Sequence, residues 1–215
     1  MSKRLVIWDF DGTLADTLGI ALHVFNDLAE DRGFLPIDDP DSVRDMSMSE
    51  FLAAHKVRMH QIPAAFAELL RRIHQRRRTI RMNDGIAAAV SRLHNSGIEQ
   101  AVVSSNNAAT ISGCLKQAKI EPCFRSIHGT SRLFGKSKTL QRVAAEHGRT
   151  PQQVLYVGDE IRDIEAARAA GTACAAATWG LNSEAALRSA QPNYIVHSPS
   201  DVADLLKATA TPQQT

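Results

Sequence analysis

Asp9-Phe10-Asp11-Gly12-Thr13 follows directly on the apolar run Leu5-Val6-Ile7-Trp8. A short β-branched and aromatic run ending in Asp-x-Asp-Gly-Thr reads as a buried strand that delivers two carboxylates to a turn. Two acids one residue apart would face opposite ways if the strand continued. The Gly-Thr marks its end, so both can crowd one site as the chain bends. Three further segments carry matching chemistry in order along the chain. Val102-Val103-Ser104-Ser105-Asn106 is an apolar strand ending in hydroxyl and amide donors, and Gly135-Lys136 opens a helical stretch. Val154-Leu155-Tyr156-Val157-Gly158-Asp159-Glu160-Ile161-Arg162-Asp163 is another buried strand, ending in Gly-Asp-x-x-x-Asp. Acids in such numbers can serve as nucleophile and proton carrier and can hold a hard cation. With no cation between them they would repel one another and raise their pKa values.

The elements that must position these residues follow from the period of the apolar pattern. Strands are expected at about 4–9, 100–104, 124–128, 154–158, 172–178 and 194–197. Helices are expected between them at about 108–119, 137–146, 161–170, 183–189 and 200–206. Alternating strand and helix implies an α/β fold, a doubly wound parallel sheet of Rossmann-like type covered on both faces. Ligands of such sheets lie outside the carboxyl ends of the strands, where Asp9, Ser104 and Asp159 all fall.

The stretch 15–82 breaks the alternation. Leu18, Ala21, Leu22, Phe25, Leu28 and Ala29 form one apolar helical face, and Phe66, Leu69, Leu70 and Ile73 form another after Pro63. A short helix is expected between them within 46–57, and no strand of comparable quality appears. A helical insert is expected, with hinges near 14–17 and 79–85, the second carrying the turn Asn83-Asp84-Gly85. The division is therefore 1–14 with 83–207 as one unit, 15–82 as the insert, and 208–215 as a small polar tail expected to be disordered.

Composition is that of an ordinary globular chain: 215 residues, 44% hydrophobic and 22% charged, with 25 basic against 23 acidic residues. No apolar run is long enough to span a membrane, and the N-terminus leaves no room for a removable targeting peptide before the first strand. Cys114, Cys123 and Cys174 lack Cys-x-x-Cys spacing and read as small hydrophobes rather than a disulfide or zinc framework. A reducing cytoplasm is the expected home. Arg71, Arg72, Arg76, Arg77, Arg78 and Arg81 form a local basic cluster. It is read as a solvated helix end, with a nucleic-acid or other polyanionic partner as the less favoured use.

The ordered set of motifs resembles the haloacid dehalogenase superfamily of phosphotransferases, and the likeness extends to about Leu206. The resemblance implies a Rossmann-like core with the insert as a helical cap. It implies that Asp9 is the nucleophile, forming an aspartyl-phosphate, and that Asp11 protonates the leaving alkoxide. Magnesium would lie between Asp9, the backbone carbonyl of Asp11, and Asp159, with Asp163 holding the ion's water or Lys136. Ser104, Ser105, Asp11, Gly12 and Lys136 would bind the phosphoryl group, with Thr13 holding the loop. Lys138 competes with Lys136 for the lysine role at the same helix start.

Asp11 argues for phosphate esters, because dehalogenases and phosphonate hydrolases of the superfamily lack an acid there. Ala175-Ala176-Ala177-Thr178-Trp179-Gly180 is similar to the phosphoglycolate-phosphatase-like hydrolases. The expectation is a magnesium-dependent phosphatase acting on a small phosphorylated metabolite. The rivals are a phosphomutase of the β-phosphoglucomutase type, a polynucleotide phosphatase, and a non-catalytic binding module. Ser137 after Lys136 and the extra acid Glu160 depart from the usual pattern, and Glu160 reads as a helix N-terminal acid. Arg44, His55, Lys56, Arg58 and His60 are polar candidates on the cap, with His23 and Asn26 nearer its hinge. Nothing in the sequence fixes the oligomeric state.

Overall fold

The computed structural model describes residues 5–130 and 135–208. A six-stranded, all-parallel sheet forms the centre. In chain order the strands of the molecule are β1 (Leu5–Trp8), β2 (Ala15–Asp16), β3 (Arg81–Met82), β4 (Glu99–Ser104), β5 (Ser126–Gly129), β6 (Val154–Gly158), β7 (Ala173–Ala177) and β8 (Tyr194–Val196). The helices are α1 (Leu18–Arg32), α2 (Met48–Ala54), α3 (Ile62–Gln75), α4 (Ile86–Asn95), α5 (Ala108–Gln117), α6 (Lys136–Glu146), α7 (Ile161–Ala170), α8 (Glu184–Ser189) and α9 (Pro199–Ala208). Sheet order is β5-β4-β1-β6-β7-β8, so the chain winds outward from β1 in both directions. The crevice at the end of β1, between β4 and β6, is the switch point where such folds bind ligands.

Alternating side chains of the fully buried β1 feed two cores. Val6 and Trp8 face one layer with Val90, Leu93, Ile111 and Leu115, while Leu5 and Ile7 face the other with Leu140, Val143, Ile164 and Leu187. Buried aromatic and branched side chains of this kind contribute about 1.5–3 kcal/mol each. The polar tip of Trp8 is satisfied: its Nε1–H donates to Gln100 Oε1 at 3.1 Å, and Gln100 Nε2 donates to Val90 O at 2.9 Å. Cys114 and Cys174 are buried in opposite layers and Cys123 is half-buried, all three as free thiols.

A third, smaller core of Leu28, Ala29, Phe34, Val57, Ile62 and Ala65 lies among α1, α3 and their connection. Pro63 stands in the first turn of α3, where its missing N–H costs nothing. The sequence offers no strand in this region, and here the structure corrects it. Ala15 pairs with Met82 and Asp16 with Arg81, so a two-rung antiparallel ribbon ties the two chain crossings together. Two residues per strand are too few to leave an alternating pattern. Helix α4 is also absent from the expected elements, although Ile86, Ala89, Val90 and Leu93 keep helical spacing and are all buried. Strand β5 begins at Ser126, because Glu121–Cys123 forms a single tight helical turn just before it. The expected strand start at Arg4 and the tail beyond 208 lie outside the described residues, and Ala208 itself closes α9. Among the described residues no helix is long and apolar enough to cross a membrane.

Candidate active site

Asp9 follows β1 directly, and its own backbone N–H still bonds the sheet, donating to Val157 O at 2.8 Å. Its carboxylate is buried, with Oδ1 accepting from Phe10 N at 2.7 Å and Oδ2 from Lys136 Nζ at 2.7 Å. Gly12 then turns the chain with φ of +74°, and a Cβ there would lie 2.2 Å from Asp159 Oδ2. Only glycine fits that combination of left-handed backbone and close approach. Gly180 closes on Asp159 from the other side, where a Cβ would meet Asp159 Cβ at 2.3 Å.

Asp159 sits between these glycines and accepts Thr13 Oγ1 at 2.5 Å on one oxygen and Leu181 N at 2.8 Å on the other. Trp179 Nε1 and Asn83 Nδ2 both donate to the Thr13 carbonyl, at 2.9 and 3.0 Å. Asp163 lies one turn into α7. Its Oδ2 accepts from Glu160 N at 3.2 Å, the return half of a capping box. Its Oδ1 accepts from Lys136 Nζ at 2.6 Å and Tyr156 OH at 3.1 Å. The Lys136 ammonium thus bridges Asp9 and Asp163 from the start of α6, whereas Lys138 is exposed on the same helix.

Asp11 points toward the end of β4. Asn106 Nδ2 donates to both of its oxygens at 3.1 Å, and Ser104 Oγ lies 3.5 Å from Oδ2. Ser105 is buried beside them. Burial pushes the Asp9 carboxyl up to about 7 although Lys136 opposes it, and pushes Asp159 well above the usual carboxylate range with Glu160 adding to the rise. Asp11 is also raised by burial, with Asn106 the main opposing influence. Burial would raise Asp163 too, but Lys136 and Arg162 more than offset it and hold its carboxyl low.

Asp9, Asp159 and Asp163 each offer an oxygen within 4.8 Å of the others. Five acids, counting Asp11 and Glu160, meet the two cations of Lys136 and Arg162, so negative charge is in excess once the acids are ionised. All the donors are hard oxygens. That chemistry fits a divalent hard cation such as magnesium.

Some participants escape a reading of the sequence. Arg162 clasps Glu160 through Nε at 2.6 Å and Nη2 at 2.5 Å, so Glu160 is an ion-pair partner besides standing before α7. Both lie inside the Gly-Asp-x-x-x-Asp segment at positions whose type carries no motif signal. Asn106 reads as a donor at a strand end, but its partner Asp11, like the contacts of Tyr156 and Gly180, emerges only once the strands are adjacent. Of the polar cap candidates, Asn26 and His55 are structural: Asn26 brackets the backbone of Ile37, and His55 Nδ1 bonds Leu35 O at 2.8 Å. His23, Lys56, Arg58 and His60 are exposed, and Arg44 is half-buried. In the basic cluster, Arg71 and Arg72 pair with Glu68, Arg72 with Asp31 and Arg76 with Asp27, which neutralises half of it.

Comparison with known proteins gives the arrangement its context. The phosphoglycolate phosphatase of Synechococcus elongatus is 30% identical over 203 residues, covering 93% of this chain and 95% of that one. The phosphoglycolate phosphatase of Aliivibrio fischeri is 24% identical over 89% of this chain and 91% of its own. A haloacid dehalogenase-like family hydrolase from Streptococcus pneumoniae shares the fold with a TM-score of 0.78 at 24% identity, over 94% of this chain and 98% of that one. The family model for haloacid dehalogenase-like hydrolases matches residues 6–177, and the chain belongs to that family of enzymes.

Proposed function

We propose that this enzyme is a magnesium-dependent phosphatase that hydrolyses a small phosphate monoester through a phosphoryl group carried on Asp9, a phosphatase class that its relatives' names support. The observation that carries the reading is the Lys136 ammonium held between Asp9 and Asp163, with the Asp11 carboxyl turned toward Ser104 and Asn106 at the end of the neighbouring strand. Asp9 attacks phosphorus in line, and the ester oxygen departs with a proton from Asp11, a role that its burial-raised carboxyl suits. Water then attacks the phosphorus of the aspartyl-phosphate, gives its proton back to Asp11, and frees Asp9 and inorganic phosphate.

Ser104, Ser105, Lys136 and the backbone at Gly12 bind the phosphoryl oxygens in this scheme, and Thr13 and Asp163 hold their neighbours in place. Asp9, Asp159 and the Asp11 carbonyl would hold magnesium, which supplies positive charge for the phosphoryl oxygens. We read 1–14 with 83–207 as the core and 15–82 as a cap that excludes water from the site. The test is phosphate release from a panel of small esters with and without magnesium, in wild type and Asp9→Asn. The expected result is magnesium-dependent release that falls at least about a thousandfold in Asp9→Asn. Isomerised sugar phosphate with no released phosphate would make the enzyme a mutase instead.

A further inference from the structure

We infer that the alcohol portion of the substrate is apolar rather than a carboxylate or a sugar; this rests on the phosphatase reading and names the substrate class of the same site. A cavity of about 230 Å³ lies beneath α1, α2 and α3. Leu22 and Phe25 from α1, Met48 and Phe51 from α2, and Phe66 and Leu69 from α3 line it. Its floor is the start of α7 and the segment after β7: Ile161 and Leu181, with Glu160, Arg162 and Asn182. Leu181 belongs to both places, because its N–H donates to Asp159 Oδ2 at 2.8 Å. The apolar space therefore adjoins the carboxylate cluster.

Three observations make this a chamber for an apolar group. The charged residues lining it, Glu160 and Arg162, are clasped to each other and present no net charge. Among the described residues of the insert, Ser47 is the one polar side chain that lines it, and Arg44, His55, Lys56, Arg58 and His60 do not. An anionic leaving group such as glycolate would thus be desolvated with no unpaired cation among the described lining residues to receive it, a large cost. Many of the lining side chains, among them Leu22, Phe51 and Phe66, are only half-buried, so apolar surface remains for a ligand to cover. An apolar cavity of about 150 Å³ accommodates benzene. This one has room for a benzyl group or a short branched chain.

The test compares kcat/KM for methyl, propyl and benzyl phosphate and for phosphoglycolate, all with magnesium. Buried methylenes should raise kcat/KM roughly three- to fivefold each, and benzyl phosphate should exceed phosphoglycolate at least about tenfold. Leu22→Arg should reverse that order by placing a cation in the chamber. Leu22→Phe fills it with no new charge and should lower the benzyl-to-methyl ratio, and thermal melts check that both variants fold. Phosphoglycolate equal to or better than benzyl phosphate, or a ratio indifferent to both variants, overturns the inference and leaves the phosphatase standing. If no ester is hydrolysed, p-nitrophenyl phosphate included, both readings fall together. Occupancy by a second copy of the chain would appear as a dimer lost in Leu22→Arg without a change of selectivity, and would also overturn it.

Discussion

At the scale of single residues, the site is a problem of buried charge. Asp9 ionises only near pH 7 when it has no cation beside Lys136, against 3.8 for an ordinary aspartate. Between those values the folded chain holds a proton that the unfolded chain has lost, so the metal-free protein loses stability as pH rises through this window. Magnesium needs the ionised carboxylate, so its affinity should fall about tenfold per pH unit below 7. The thermal-shift gain on adding magnesium should be larger at about pH 8 than at about pH 5.5; an equal gain would show that Asp9 does not bind it. Asn106 is the residue on which Asp11 most depends, since its amide contacts both carboxylate oxygens. Asn106→Ala should lower kcat for alkyl phosphates by about ten- to a hundredfold and leave p-nitrophenyl phosphate, whose leaving group needs no acid, much less affected. Equal losses on both esters would assign Asn106 to structure alone. The sequence showed Asn106 as a donor at a strand end, yet its partner lies 95 positions away and emerges only when β1 and β4 pair.

At the scale of elements, the strands of the main sheet and helices α5 to α9 were expected within a few residues of where they lie, whereas α4 was missed although its ten residues keep helical spacing. The β2–β3 ribbon has too few residues for any pattern, and its partners are far apart in sequence. Contacts between the helical insert and the sheet side were equally hidden. Asn182 Nδ2 donates to the carbonyls of Arg44 and Met46 at 2.8 and 3.2 Å, while its Oδ1 accepts from Ile161 N at 2.9 Å. Ser183 adds a backbone bond to Arg44 O and a hydroxyl contact to Asp45. One amide thus joins the start of α7 to the helical insert. Asn182→Ala leaves two carbonyls and an amide without that partner, a loss of about 1–3 kcal/mol. It should raise KM roughly tenfold with a smaller change in kcat. A fall in kcat at constant KM would instead mean that Asn182 serves the reacting groups through Asp159.

At the scale of the whole molecule, the doubly wound sheet explains why four short segments spread over the chain can form one site. Every strand of the sheet runs parallel, so the ends of β1, β4 and β6 open on the same edge, and α6 brings Lys136 to it. Glycines at 12 and 180 let the backbone close around Asp159, and two hydrophobic layers hold the frame rigid behind it. That convergence was readable from motif order, whereas the apolar chamber was not, because its lining comes from three helices whose relative placement no local pattern encodes. The central claim is that the phosphoryl group passes through Asp9. Acid quenching during turnover of a good ester, followed by peptide mass spectrometry, tests it most directly. A phosphoryl group on Asp9 in wild type and none in Asp9→Asn is the predicted result. Steady turnover with Asp9 never modified, or with the phosphoryl group on another side chain, would contradict it.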